Sequence, residues 1–344
     1  MKKKTVSLED AVGAVLWHDV TRIVPGQFKG PAYRRGHVIR AEDVPALLDL
    51  GKEHVYVLEL EQGDVHEDEA SVRLATAVAG PGLRLSEPVE SRVDLVATDD
   101  GVVRIDTQGV RRLNSLGYLA LATLHNATVA HKGDVVAALK PLPLVLSEED
   151  VRRAVEFCQV RRGLVRVVPF RRLRVGVVVT GSEVATGRIK DEFGPVVAAK
   201  VEAFGSRVAR AVCVTDDPGA IAQAIHDLAG SSDLMLVTGG MSVDPDDATP
   251  AGVRLSGARI ERYGAPVMPG VMLLLAYLGA KPVLGVPACA LYYPTTVLDL
   301  ILPRLLAGER VKGQDIAALG HGGLCRGPHA CIACTFPHCE FGKG

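Results

Sequence analysis

The chain has 344 residues, 48% of them hydrophobic and 23% charged, with 39 basic against 40 acidic side chains and a formal charge of -1. That is the make-up of a soluble globular protein long enough for two or three domains. The near balance of charge leaves no net field to favour nucleic acid or an anionic membrane, so any anion binding must be local.

Taken in chain order, Met1-Lys2-Lys3-Lys4 resembles the start of an export signal, but Glu9 and Asp10 interrupt the apolar stretch that export requires. The longest apolar run, Val271 to Leu278, is far too short for a membrane span. The expectation is therefore a cytoplasmic protein with reduced thiols. Ser7 is predicted to cap a helix through Leu16, and a second helix runs from Asp43 to Leu50, where Gly51 stops it. A strand from His54 to Leu60 follows. Glu67, Asp68 and Glu69 open a further helix to Val78, because carboxylates suit the positive end of the helix dipole. From Gly82 to Val145 the pattern turns β-rich. Asp100-Gly101 between Val93–Val96 and Val102–Ile105 carries a hairpin signal, and residues 126–129 and 133–136 read as short strands. Ser147 then caps a helix to about Cys158. These readings divide the first half into an α+β segment, 1–65, and a β-rich middle domain, 66–170.

Residues 171–312 read as an α/β domain. Between Arg174 and Val253 strands and helices alternate, which predicts a parallel sheet covered by helices. Thr180-Gly181-Ser182-Glu183 follows one apolar strand, and Thr238-Gly239-Gly240-Met241-Ser242-Val243-Asp244-Pro245-Asp246-Asp247 follows another. In a parallel sheet both loops open at the carboxyl ends of the strands, where α/β folds place ligands. Main-chain amides there can cradle an anion and carboxylates can hold a hard cation, so phosphate with a divalent metal is the expected chemistry. A helix is predicted from Asp191 to Phe204, ended by Gly205, and another from Pro218 to Leu228 after Asp216-Asp217. Thr249-Pro250 reads as an N-cap and first helical residue. Beyond it come strand Ile260 to Tyr263, a helix around Leu273 to Leu278, strand Pro282 to Val286 and a last helix from Thr295 to Leu306.

The ordered set Thr180-Gly181-Ser182-Glu183, Gly187 to Asp191, Asp216-Asp217, Thr238-Gly239-Gly240-Met241-Ser242-Val243, Asp247, Met268-Pro269-Gly270 and Gly285-Val286-Pro287-Ala288 resembles the molybdopterin-binding fold of molybdopterin adenylyltransferases and molybdenumtransferases. The resemblance covers roughly 130 residues and rests on the combination rather than on any one piece. It implies a three-layer α/β/α sandwich that binds molybdopterin, or its adenylylated form, at the sheet edge. Mg²⁺ would bridge substrate phosphates and carboxylates there, and molybdate would be the co-substrate. By position it implies Asp247 and Asp191 as catalytic carboxylates, with Thr180, Gly181, Glu183, Gly239, Gly240, Ser242, Pro269 and Gly270 binding the pterin. Asp247 would hold metal; Asp244 is a further carboxylate beside it that the motif does not carry. The family also implies a homo-oligomer. Three positions depart from the molybdenumtransferase pattern: Glu192-Phe193 replaces Ser-Asn, Val271-Met272 replaces Lys-Pro after M-P-G, and Ala288-Cys289-Ala290 replaces G-N-P. Losing a lysine and an amide removes a charge and donors, so a non-catalytic carrier or sensor is the alternative. Asp244 to Thr249 also resembles the T-x-D-D-x-T of CinA-like nucleotide pyrophosphatases.

Residues 313–344 form a cysteine-rich tail. Cys325, Cys331, Cys334 and Cys339 are separated by five, two and four residues, and the Gly and Pro between them permit tight folding around a metal. Four thiols suit Zn²⁺ or an iron-sulfur cluster, with His329 or His338 able to replace one. The spacing matches none of the common ferredoxin runs.

Overall fold

The computed structural model describes residues 2–24, 28–59, 61–241, 248–327 and 333–343. They fall into two compact units, one comprising Met1–Val96, Asp106–Thr123 and Val135–Val165, the other Ala97–Ile105, Leu124–Asp134 and Arg166–Gly344. No helix among the described residues is long and apolar enough to cross a membrane.

In the first unit Lys2–Ser7, His54–Glu59 and Val15–Leu16 form an antiparallel sheet. The helix expected from Ser7 to Leu16 is absent. Ser7 does accept the amide of Asp10, but Gly13 sits at φ 85° and its amide turns away to the carbonyl of Ile39. The turn therefore cannot propagate, and Leu8, Ala11 and Leu16 drop into a core with Ile39, Leu47, Val55 and Val57. Helices Asp43–Asp49, Glu67–Val78 and Glu148–Val160 form close to where the sequence predicts them, Ser147 capping the last by accepting the amide of Asp150.

The expected hairpin at Asp100-Gly101 is also absent, although both strands exist. Val93–Ala97 pairs with Val135–Pro141 in a four-stranded sheet, whereas Gly101–Ile105 belongs to another sheet with Val129–Ala130 and Val165–Pro169. Gly101 serves close approach instead of a turn: a Cβ there would collide with the carbonyl oxygen of Val168. Asp100 is drawn into the same contacts, its carbonyl accepting Phe170 N at 3.1 Å and its carboxylate accepting Lys132 N at 2.7 Å.

The second unit is built on a six-stranded sheet in the order Arg207–Val214, Arg174–Thr180, Leu234–Thr238, Lys281–Val286, Leu274–Leu278, Arg259–Tyr263. The first four run parallel, and Leu274–Leu278 runs antiparallel to both of its neighbours, Lys281–Val286 and Arg259–Tyr263. Strand alternation sends Val175, Val177, Val179, Leu234, Leu236, Leu284 and Val286 to one face and Val178, Met235, Val237 and Val283 to the other. Helices Phe193–Glu202, Val297–Leu306 and Gly313–Ala318 close the first core, while Pro218–Ala229 and Thr249–Leu255 close the second. This is the three-layer α/β/α arrangement expected from the motifs. One element differs. Residues 274–278 form a strand rather than a helix, because Leu273, Leu275 and Tyr277 are shared with one core and Leu274 and Ala276 with the other. An unbroken apolar run carries no period that distinguishes a strand buried on both faces from a buried helix.

Leu236 is fully buried at the centre of this sheet, so Leu236→Ala should cost about 2–5 kcal/mol in urea denaturation. Thr296→Ala removes the capping box that Thr296 and Asp299 make on the Val297–Leu306 helix and should cost only about 1 kcal/mol. A smaller loss at Leu236 than at Thr296 would contradict this placement of the core.

Candidate functional site

The parallel register sets the site. Thr180 lies level with Val214, Val179 with Thr238, and Thr238 with Val286, so the strand ends share one edge of the sheet. Leu274 pairs antiparallel with Gly285, which brings the loop ahead of it, carrying Met268-Pro269-Gly270, to that edge as well. A cavity of about 450 Å³ opens there. Its walls are Gly239 to Met241 from one loop, Pro269 to Met272 from a second and Val286 to Cys289 from a third. Among the described residues the lining side chains carry no charge, and the volume is that of an ordinary small-molecule pocket.

Each loop is held by main-chain contacts. Gly239 sits at φ 88°, and a Cβ on it would stand 2.5 Å from both the carbonyl oxygen and Oγ1 of Thr180. Thr249 clasps the same turn: its hydroxyl donates to Gly239 O at 2.8 Å and its amide to Gly240 O at 3.2 Å. Thr249 is wholly buried, with its Oγ1 3.4 Å from Thr180 Oγ1. It is not the expected N-cap, since Ala248 occupies that position without a side-chain bond. Tyr263 OH donates to Met241 O at 3.2 Å. Gly270, at φ 127°, leaves room for Val297, whose amide donates to Pro269 O at 3.1 Å. Thr249 and Tyr263 were invisible as site residues in the sequence, because their role is to bond carbonyls that only the fold brings near.

The residues expected to bind ligand divide into two groups. Gly239, Gly240, Pro269 and Gly270 converge on the cavity. Thr180 stands behind it, buried against Gly239, while Gly181 and Glu183 do not line it. Gly181 donates its amide to Val214 O, and Asp216 accepts the Ser182 amide at 2.8 Å, so this loop is tied back to the neighbouring strand. Asp191 accepts the amides of Phe193 at 2.8 Å and Gly194 at 3.0 Å and so caps the helix that follows. Ser242, Asp244 and Asp247 lie outside the described residues, as does Cys331. Cys325, Cys334 and Cys339 line a separate cavity. Yet among the described residues no three His, Cys, Asp or Glu side chains group closely enough to hold a metal ion, so these thiols do not converge on a point.

Two groups near the cleft are chemically distinctive. Burial pushes the Cys289 thiol above its ordinary range. Thr238, fully buried at the strand end next to Gly239, has a hydroxyl with no partner among the described residues.

With this geometry in place, comparison with known proteins identifies the class. Residues 176–307 match the family model described as a probable molybdopterin binding domain. Residues 5–59 match a domain family of unknown function. Among curated proteins, a CinA-like protein of Syntrophus aciditrophicus is 37% identical over 91 residues, 26% of this chain and 22% of that protein. A CinA-like protein of Citrifermentans bemidjiense is 38% identical over 90 residues, again 26% of this chain and 22% of that protein. The chain thus spans about a fifth of the length of these relatives. Among solved structures, the molybdopterin biosynthesis enzyme MoaB of Thermus thermophilus aligns over 40% of this chain and 98% of its own, at 22% identity and a TM-score of 0.32. The tungsten cofactor synthesizing protein MoaB of Pyrococcus furiosus aligns over 41% and 99%, at 13% identity and a TM-score of 0.31.

Thr249→Val should leave the Gly239 carbonyl without its buried donor and destabilise the protein by about 1–3 kcal/mol, read as a fall in Tm. No change would mean the clasp does not hold the turn. Because the raised pKa keeps Cys289 protonated, iodoacetamide should label it more slowly at pH 8 than a free cysteine, and the rate should climb at higher pH. Mass spectrometry of the modified peptide checks this.

Proposed function

We propose that the domain at 171–312 binds a phosphorylated pterin, molybdopterin or its adenylylated form, in the cavity at the sheet edge, and that it serves molybdenum-cofactor biosynthesis by handling that ligand with Mg²⁺. The observation that carries this reading is the cavity between the Gly239-Gly240 and Pro269-Gly270 turns, whose described lining is uncharged, in a domain that matches the molybdopterin-binding family. Apolar walls from Pro269, Val271, Met272 and Val286 suit a flat heteroaromatic ring, and glycine turns let backbone come close to a phosphate.

The metal part of the reading falls on Asp244 and Asp247. Asp191 and Asp216 already spend carboxylate oxygens on main-chain amides, so the described acids fit structural roles better than a metal shell. The segment that carries Asp244 and Asp247 is flanked by Met241 and Ala248, and the hydrogen bond from Thr249 N to Gly240 O holds its two ends together at the cleft. Bound Mg²⁺ would neutralise charge developing on a phosphoanhydride. Molybdate would enter as co-substrate, and self-association is expected from the family resemblance.

Incubation with adenylylated molybdopterin, Mg²⁺ and molybdate should release AMP, and Asp247→Asn should reduce that release by at least about 100-fold while sparing the fold. Val271→Asp should abolish pterin binding by placing a charge in the apolar wall, which equilibrium dialysis would register. Binding without AMP release would point instead to a carrier or sensor, the reading favoured by Val271-Met272 standing where the transferases place Lys-Pro. The identity to CinA-like proteins supports a second reading, hydrolysis of a nucleotide pyrophosphate in the same cleft. Release of a nucleoside monophosphate from a dinucleotide pyrophosphate, with no pterin binding, would favour it.

A further inference from the structure

Within the first unit a cavity of about 1020 Å³ opens between the loop at 32–37, the start of the Glu67–Val78 helix, the turn at 87–91 and the segment 140–144. Its walls carry both signs of charge, positive from Arg34, Arg35, Arg40 and Lys140 and negative from Glu67, Asp68, Glu87 and Glu90. Tyr33, Leu142 and Leu144 add apolar surface.

Among the four acids one stands apart. Glu90 pairs with Arg34, Asp68 accepts the hydroxyl of the buried Ser91 at 2.8 Å, and Glu87 is exposed to water. Glu67 is only 9% exposed, and among the described residues its carboxylate has no hydrogen-bond or ion-pair partner. The fold holds it there. Its amide donates to Leu144 O at 2.9 Å, and Gly36 passes so close that a Cβ on it would stand 2.8 Å from Glu67 Oε1. Gly36, at φ 91°, is itself pinned, its amide donating to Leu16 O at 2.8 Å and its carbonyl accepting His66 Nε2 at 2.8 Å. The loop that carries Arg34 and Arg35 is thereby fastened across the carboxylate.

Two of the basic groups are equally uncommitted. Arg35 makes no ion pair among the described residues, its guanidinium lying over the Trp17 ring at 5.4 Å, and Lys140 Nζ meets only the neutral carbonyl of Glu90. A carboxylate withdrawn from water needs donors, and no three His, Cys, Asp or Glu side chains among the described residues group closely enough to make it part of a metal shell. Its paired oxygens match a ring edge that offers an N–H beside an amino group. The apolar wall suits the face of such a ring, and the free cations suit an anionic substituent. We propose that this cavity binds a phosphorylated ring with a 2-amino-4-oxopyrimidine edge, the edge that guanine and pterins share. Glu67 accepts the ring N–H and amino hydrogens, and Arg35 and Lys140 hold the phosphate. The site belongs to the first unit and is independent of what the sheet-edge cleft binds.

Titration calorimetry of the full chain with GMP and, separately, with neopterin monophosphate should detect binding of at least one, and the tighter of the two identifies the source of the edge. For the probe that binds, the analogue without the 2-amino group (IMP in the guanine series) and the analogue without phosphate (guanosine or neopterin) should each bind at least about tenfold more weakly. Glu67→Gln should weaken binding by a similar factor, whereas Lys140→Ala should weaken the phosphorylated probe and leave its phosphate-free analogue unchanged. Saturation should slow hydrogen exchange in peptides covering 34–37 and 140–144 but not in one covering 239–241. Failure of both probes to bind, affinity indifferent to the 2-amino group or the phosphate, full affinity in Glu67→Gln, or protection confined to 239–241 would each overturn the proposal.

Discussion

The cleft depends on one contact that no side chain permits, the approach of Gly239 to the main chain of Thr180. Because the two strands that end there are neighbours in register, the first loop can back directly onto the second, provided position 239 lacks a Cβ. Thr249 then completes the junction by returning hydroxyl and amide to the two glycine carbonyls. A buried carbonyl without such a donor would cost about 1–3 kcal/mol, so the clasp stabilises the turn and fixes the mouth of the cavity at once. The ligand-facing geometry is thus held by backbone, and the side chains are left to set its chemistry.

That chemistry is apolar where charge was expected. Sequence motifs of glycines and acids suggest a phosphate and metal site, but the described wall is Pro, Val, Met, Ala and Cys. Asp191, implied as a catalytic carboxylate, accepts the amides that start the following helix, and Asp216 accepts the amide of Ser182 on the neighbouring strand's loop. The division is physically reasonable. A flat ring is held by losing contact with water, whereas a charged group is held by polar partners. The absence of a lysine at Val271-Met272 removes the one fixed positive charge the transferase pattern supplies next to that wall.

The tail extends the same principle of main-chain attachment. It packs Phe336 and Phe341 against the helix that also receives Pro269, and it pairs Cys325 with Met268. Loop, helix and tail are thereby one mechanical unit.

Much of this protein was determined locally and could be read without coordinates. The cap at Ser147, Pro218 in the first turn of its helix, the stop at Gly205 and the alternation of strands and helices after Arg174 each depend on neighbours in sequence, and the structure forms them there. The misreadings share one cause. The run 274–278 is a strand because cores exist on both sides of it, Gly101 marks an approach to Val168 rather than a turn, and residues 8–13 fail as a helix because Gly13 bonds to Ile39. Thr249 and Tyr263 matter because distant carbonyls arrive beside them. Sequence carries propensity and period; which face meets a second core, and which carbonyl lacks a donor, are decided only when strands far apart in the chain are set side by side.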